Sequence, residues 1–187
     1  MDPFSPEGEL VNIHTAFIQG QYNLVLSDYN SSDFSTSNRL PIRVLQGRAK
    51  CALGQYDEVI SSISDSEAKQ TPDLAAVRLY ASFLRSPSSS DEVEMLAEQA
   101  GEENLTVQLL CGTVLARSGK QEQALQLLQK HQGSLDAVAL LVQIHLSMNR
   151  TDLAIKEAKG ARSFAQDALL VNLAESWVGV RQVRDTQ

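Results

Sequence analysis

The feature that most constrains this chain is a repeated triplet: Gly54-Gln55-Tyr56 repeats Gly20-Gln21-Tyr22, 34 positions further along. After each tyrosine, apolar residues follow at steps of three, four and seven. In the first copy they are Tyr22, Val25, Leu26 and Tyr29; in the second, Tyr56, Val59, Ile60 and Ile63. That spacing lays one apolar stripe along an α-helix. A glycine that breaks one helix and the same amphipathic helix after it, twice, make a helix–turn–helix repeat.

Three more copies keep the register: Val93, Leu96, Ala97 and Ala100; Gln121, Ala124, Leu125 and Leu128; Thr151, Ala154, Ile155 and Ala158. The starts at 22, 56, 93, 121 and 151 are separated by 34, 37, 28 and 30 residues. A period near 34 is the tetratricopeptide spacing. Each stripe is preceded by a first helix, carrying in turn Leu10, Ile13 and Phe17 (Gly8 to Gln19); Leu45, Ala49, Ala52 and Leu53; Leu74, Val77, Tyr80, Ala81 and Leu84; Val107, Leu110, Cys111, Val114 and Leu115; and Leu135, Val138, Leu141, Val142 and Leu146. The expectation is an all-α chain: a right-handed tetratricopeptide-like α-solenoid of about five helix pairs plus one terminal helix.

Local signals place the boundaries. Ser31 to Asn38 is a polar loop after a helix ending near Asn30. Pro41 fits the first turn of the next helix, which starts at Arg39 or Leu40. Thr71-Pro72-Asp73 is a helix start with a capping hydroxyl, and Ser86 to Ser90 lengthens a turn before a cap at Ser90 or Asp91. Gly101 ends one helix and Asn104 opens the next. Asn149 stands where other turns have glycine, which fits its tolerance of the left-handed conformation. Gly47 and Gly112 each lie seven before a turn glycine, where a small residue permits close helix packing. The terminal helix runs from Ala165 to about Val180, with Leu169, Leu173, Trp177 and Val180 in line and no visible partner. It either caps the array or leaves an apolar face exposed. The domain limits are a polar tail at 1–7, the helical domain at 8–181 and a tail at 182–187.

A chain of 187 residues with 43% hydrophobic and 21% charged residues can bury a core without staples. Its net charge of −7 argues against nucleic acid and against a polybasic membrane face. The N-terminus has neither the basic nor the apolar region of a secretory signal, and no apolar run of 18 residues occurs. Two distant cysteines, Cys51 and Cys111, read as reduced core thiols. The histidines His14, His131 and His145 lack metal-ligand spacing, and no nucleotide or nucleophile motif is present. The chain is therefore expected to be non-enzymatic and without a cofactor, acting through a surface.

First helices of such pairs line a ligand-binding face. The positions ten and six before each turn are Leu10 and His14, Val44 and Arg48, Leu109 and Thr113, and Ala139 and Gln143. Only Arg48 is basic and none is asparagine, which disfavours a clamp for a C-terminal carboxylate and suggests an apolar groove. The candidate partner-binding residues are His14, Phe17, Arg48, Gln143, Leu146 and Trp177.

Four stretches resemble the epsilon subunit of coatomer, the COPI vesicle coat: LVNIHTAFIQGQY at 10–22, PDLAAVRLYASFL at 72–84, VQIHLSMNRTDLAIKEAK at 142–159 and LAESWV at 173–178. The resemblance covers roughly residues 9–178. It implies a non-catalytic coat subunit, cytoplasmic and peripheral on Golgi membranes and COPI vesicles, that binds and stabilises the alpha subunit through its C-terminal region. It also implies further repeats after the Trp-Val helix; Gly179 to Gln187 does not follow that continuation, so the chain looks like a shortened form. The alternative is a general tetratricopeptide adaptor for an apolar peptide segment.

Overall fold

A computed structural model of the chain describes residues 6–87 and 90–185. Most of the N-terminal tail, two serines of the Ser86–Ser90 turn and the last two residues of the C-terminal tail lie outside the described residues. The described residues are helices and connections, with no strand. By internal contacts the chain divides into two units, Met1–Ser89 and Ser90–Gln187.

The first unit holds α1 (Pro6–Glu9), α2 (Val11–Ile18), α3 (Tyr22–Ser27), α4 (Arg39–Ala52), α5 (Tyr56–Ser62), α6 (Asp65–Gln70) and α7 (Pro72–Arg85). Its N-terminal core joins Ile13 and Ala16 of α2, Val25 of α3, and Ile42, Leu45 and Ala49 of α4, with Phe17, Tyr22 and Tyr29 packed around it. α3 stops at Ser27, earlier than its stripe suggests, and two 3-10 turns, Ser31–Asp33 and Thr36–Asn38, fill the polar loop. Glu9 ties that loop back: its carboxylate accepts from the Ser35 backbone at 3.2 Å, the Ser35 hydroxyl at 2.9 Å and the buried Asn38 amide at 2.8 Å. These donors, Asn38 first, hold the Glu9 carboxyl below its usual range.

α6 is a helix that the apolar pattern does not announce. Ser64 caps it: the Ser64 hydroxyl accepts from the Glu67 backbone and the Glu67 carboxylate accepts from the Ser64 backbone at 2.9 Å, a reciprocal capping box. Arg43 of α4 reaches the same carboxylate at 2.8 Å. Arg43, with Ser64, pulls the Glu67 carboxyl down to about 2. Thr71, by contrast, stands at the N-cap of α7 without a side-chain capping bond, and Pro72 opens that helix as expected.

The second unit holds α8 (Asp91–Ala100), α9 (Leu105–Arg117), α10 (Gln121–Leu128), α11 (Leu135–Ser147), α12 (Thr151–Arg162) and α13 (Leu169–Asp185). Asn104 and Ser134 cap α9 and α11 by accepting from the backbones of Val107 and Ala137. Leu115, Leu128, Leu141 and Val142 are fully buried, each worth about 1.5–3 kcal/mol of burial.

Four turns share one geometry. Gly20, Gly54, Gly119 and Asn149 have φ of 75°, 78°, 84° and 58°. The next residue in each turn donates its backbone N–H five residues back, Gln21 to Ala16, Gln55 to Lys50, Lys120 to Leu115 and Arg150 to His145, all at 2.9 Å. This is the Schellman closure, which needs a left-handed residue that glycine, or asparagine, supplies most cheaply. The helix-breaking residues of the repeat are therefore one structural device used four times.

α13 corrects two expectations. It has partners, α11 and α12, and it buries Val171, Ala174 and Val178, a different stripe from Leu169, Leu173, Trp177 and Val180. It also runs through Asp185, well into the segment expected as tail. Leu169 stays exposed, whereas Leu173 and Trp177 are half-buried.

Candidate partner-binding surface

In each unit the closed turns fix which residues of the first helices face outward. In the first unit, α2 carries His14 and Phe17 one turn apart on the same side, both half-buried. α4 brings Arg48 over the Phe17 ring, with its guanidinium carbon 4.5 Å from the ring centre. Tyr22 meets the same ring edge-on at 5.5 Å. Phe17 is thus held by its edge and its face, and Arg48 is oriented by cation–π stacking.

In the second unit, Gln143 points from α11 into solvent. Leu146 of α11 and Trp177 of α13 are half-buried against a common core of Val138, Val142, Ala154, Ala158 and Val171. The structure therefore unites Phe17 with Arg48, and Leu146 with Trp177, while Gln143 stands in solvent.

The expected apolar groove is not formed by the positions that suggested it. Val44, Leu109 and Ala139 are only 5%, 7% and 7% exposed. The reason is that consecutive first helices pack directly on one another: α2 on α4 and α4 on α7 in the first unit, α9 on α11 and α11 on α13 in the second. In each unit the positions one turn further on are less buried and polar: His14 and Arg48 in the first, Thr113 and Gln143 in the second. The Thr113 hydroxyl is spent on its own helix, donating to the Leu109 carbonyl at 2.7 Å.

One cleft was not anticipated. Between α8 and α10 lies a shallow hollow of about 250 Å³ whose floor is Ala97, Leu115 and Leu127 and whose rim is Glu94, Glu98, Gln123 and Lys130. Lys120 and Ser90 both bond the Glu94 carboxylate, and they lower its titration, Lys120 most. Acids at a helix start gave no signal of this arrangement. Burial pushes the Cys51 and Cys111 thiols up to about 11 and about 12, which suppresses thiolate chemistry. Among the described residues, no group of three or more His, Cys, Asp or Glu is placed to hold a metal ion.

A family model described as coatomer epsilon subunit matches residues 7–185, nearly the whole chain. The chain belongs to the coatomer epsilon subunit family. Coatomer subunit epsilon-1 of Arabidopsis thaliana is 32% identical over 177 residues, covering 91% of this chain and 59% of the relative. The probable coatomer subunit epsilon of Schizosaccharomyces pombe is 29% identical over 176 residues, with 94% and 57% covered. Coatomer subunit epsilon of Caenorhabditis elegans is 28% identical over 177 residues, with 91% and 59% covered. This epsilon-family chain thus spans under two thirds of the length of these relatives. Among its described residues no helix is long and apolar enough to cross a membrane.

Proposed function

We propose that this chain is a non-catalytic structural subunit of the COPI coat. It binds the C-terminal region of the alpha subunit and stabilises it, in Golgi-to-ER and intra-Golgi vesicle transport. It works in the cytoplasm and reaches Golgi membranes and vesicles only as part of the coat. The observation that carries this reading is the family match over residues 7–185, on a chain built of stacked helix pairs.

The contact is assigned to the first helices of each unit taken separately: His14, Phe17 and Arg48 in the first unit and Gln143 in the second. The burial of Val44, Leu109 and Ala139 counts against an adaptor that grips an apolar peptide along that face. A face of stacked guanidinium and amide groups suits a partner that offers backbone carbonyls or carboxylates.

The test is a tagged pull-down of the chain from native cytosol, with and without Arg48→Glu. Recovery of the alpha subunit and the other coatomer subunits in near-equal amounts, weakened at least tenfold by the substitution, is the expected result. A substoichiometric set of other proteins, with no alpha subunit, overturns the coat reading. Full recovery with Arg48→Glu overturns the assignment of the face.

A further inference from the structure

α8 and α10 both pack on α9, and the hollow between them is floored by Ala97, Leu115 and Leu127. It has a local cause. Gly101, just past α8, lets Leu127 settle beside it: a Cβ there would lie 2.5 Å from Leu127 Cδ1. Ala97, one turn earlier, is too short to fill the space that this leaves. The hollow is enclosed within residues 94–130, whereas α13 packs on α11 and α12.

The acids along its α8 side form an incomplete row of ion pairs. Glu94, Glu98 and Glu102 follow one another at steps of four, which places them on one side. Glu94 pairs with Lys120 at the start of α10, and Glu102 pairs with Lys130 just beyond its end at 2.7 Å. Glu98, between them, is exposed and has neither an ion pair nor a hydrogen bond among the described residues. The α10 residues that share the hollow with it are neutral, Gln123 and Gln126. Its position is electrostatically costly. Glu98 lies in the last turn of α8, where the helix dipole disfavours an anion, and four residues from Glu94, where like charges repel. α8 itself offers no relief, since it carries four acids and no basic residue.

We infer that this hollow receives an arginine side chain from a protein partner, with Glu98 as its counter-ion. Charge complementarity selects the occupant. A cation set between Lys120 and Lys130 gives the middle carboxylate the partner that the outer two already have. An anion would meet Glu94 and Glu98, and an apolar side chain would leave Glu98 as it is. The volume of about 250 Å³ takes one long side chain. The alkyl stem of arginine covers Ala97 and Leu127, and its planar head gives two N–H donors to the Glu98 carboxylate. The Gln126 amide oxygen accepts a further one. Lysine has an equal stem, but its compact ammonium has no fork and gives up more hydration.

Titration of the full chain, labelled with ¹⁵N, with Nα-acetyl-arginine amide tests this by NMR, against the norleucine and lysine counterparts. The expected result is saturable shifts clustered at residues 94–102 and 123–130, with a Kd of roughly a millimolar for a ligand of this size. The lysine compound should bind several-fold more weakly and the norleucine compound should not saturate. Glu98→Gln changes an exposed side chain and removes a repulsion, so it should weaken binding about tenfold without lowering the melting temperature. Gln126→Lys supplies the missing cation from within and should abolish binding while raising the melting temperature. No saturable shifts into the tens of millimolar, shifts confined to other parts of the chain, equal binding of the norleucine compound or an unchanged Kd with Glu98→Gln each overturn the inference. Equal binding of the lysine compound overturns the assignment to a guanidinium. This result is independent of the coat reading, which is judged by recovery of the alpha subunit.

Discussion

Replacing Gly47 with alanine should destabilise the first unit, whereas the same change at Gly160 should stabilise the second. Both glycines sit inside helices, α4 and α12, where alanine is favoured by about 1 kcal/mol. At Gly160 a Cβ would meet no heavy atom within 4 Å, so the full gain of about 1 kcal/mol should appear. At Gly47 the Cβ would land 2.7 Å from Cγ1 of Val77 on α7. Val77 is only 1% exposed. Its β-branched side chain has no alternative rotamer of similar energy in a helix. Overpacking of this kind costs about 1–3 kcal/mol, so the net effect is a loss of about 1 kcal/mol. Urea unfolding followed by far-UV circular dichroism measures both variants, and Trp177 fluorescence isolates the second unit. Adding Val77→Ala to Gly47→Ala should recover part of the loss, with a coupling of about 1 kcal/mol. If Gly47→Ala stabilises as much as Gly160→Ala, α4 and α7 do not approach as closely as described and the reasoning fails.

Three further outcomes are expected. His145 is buried and its ring titrates below 6.5, chiefly through desolvation. The unfolded chain therefore binds the proton first, and stability should fall as pH drops below about 6.5 toward the folded value; His145→Leu should flatten that part of a stability–pH curve, and an unchanged slope refutes the assignment. Cys51 and Cys111 should resist a thiol reagent at pH 8 in the native protein and both react on unfolding, and fast native labelling of either would contradict their raised titration. Gly119→Ala adds a Cβ to open space at a φ of 84°, so only backbone strain of about 1–2 kcal/mol, partly offset in the unfolded chain, should be seen in the melting temperature; Asn149→Gly should leave it nearly unchanged.

The turns were legible because left-handed backbone leaves a residue-level mark. Glycine at 20, 54 and 119 and asparagine at 149 announce the geometry directly. The close approach at Gly47 and Gly112 was legible too, but not its partner. A Cβ at Gly47 would meet Val77 of the next first helix, whereas one at Gly112 would meet Leu128 of its own second helix at 3.1 Å. Equivalent sequence positions thus relieve different contacts, because the pairs differ in length and in how their helices settle. α6 escaped the apolar pattern since it buries little; its signal is the local Ser64-to-Glu67 box. On α13 two apolar stripes lie about a quarter-turn apart, and periodicity cannot say which of two faces a neighbour will take. The polar character of the first-helix face was hidden for a related reason. Sequence locates Val44, Leu109 and Ala139 on a face but says nothing of the spacing between helices that closes over them.

The junctions in the second unit carry a regularity that repeat length alone conceals. Lys120, just after the left-handed Gly119, pairs with Glu94 in the first turn of α8. Arg150, just after the left-handed Asn149, pairs with Glu122 in the first turn of α10 at 2.8 Å. In both, the cation is fixed by a closed turn and the anion lies at a helix N-terminus that favours negative charge. Such half-exposed pairs add little stability. What they supply is register, because each bridges the start of one second helix to the start of the next and only one sliding position brings the charges together. The first unit puts glutamine at the corresponding places, Gln21 and Gln55, and ties its helices elsewhere, through Arg43 to Glu67 and Arg85 to Asp57. At least eight of the 16 cations are thereby engaged with acids of the same chain, against a net charge of −7. The long-range field is thus negative, and Arg48, stacked on the Phe17 ring, is a local positive site within it.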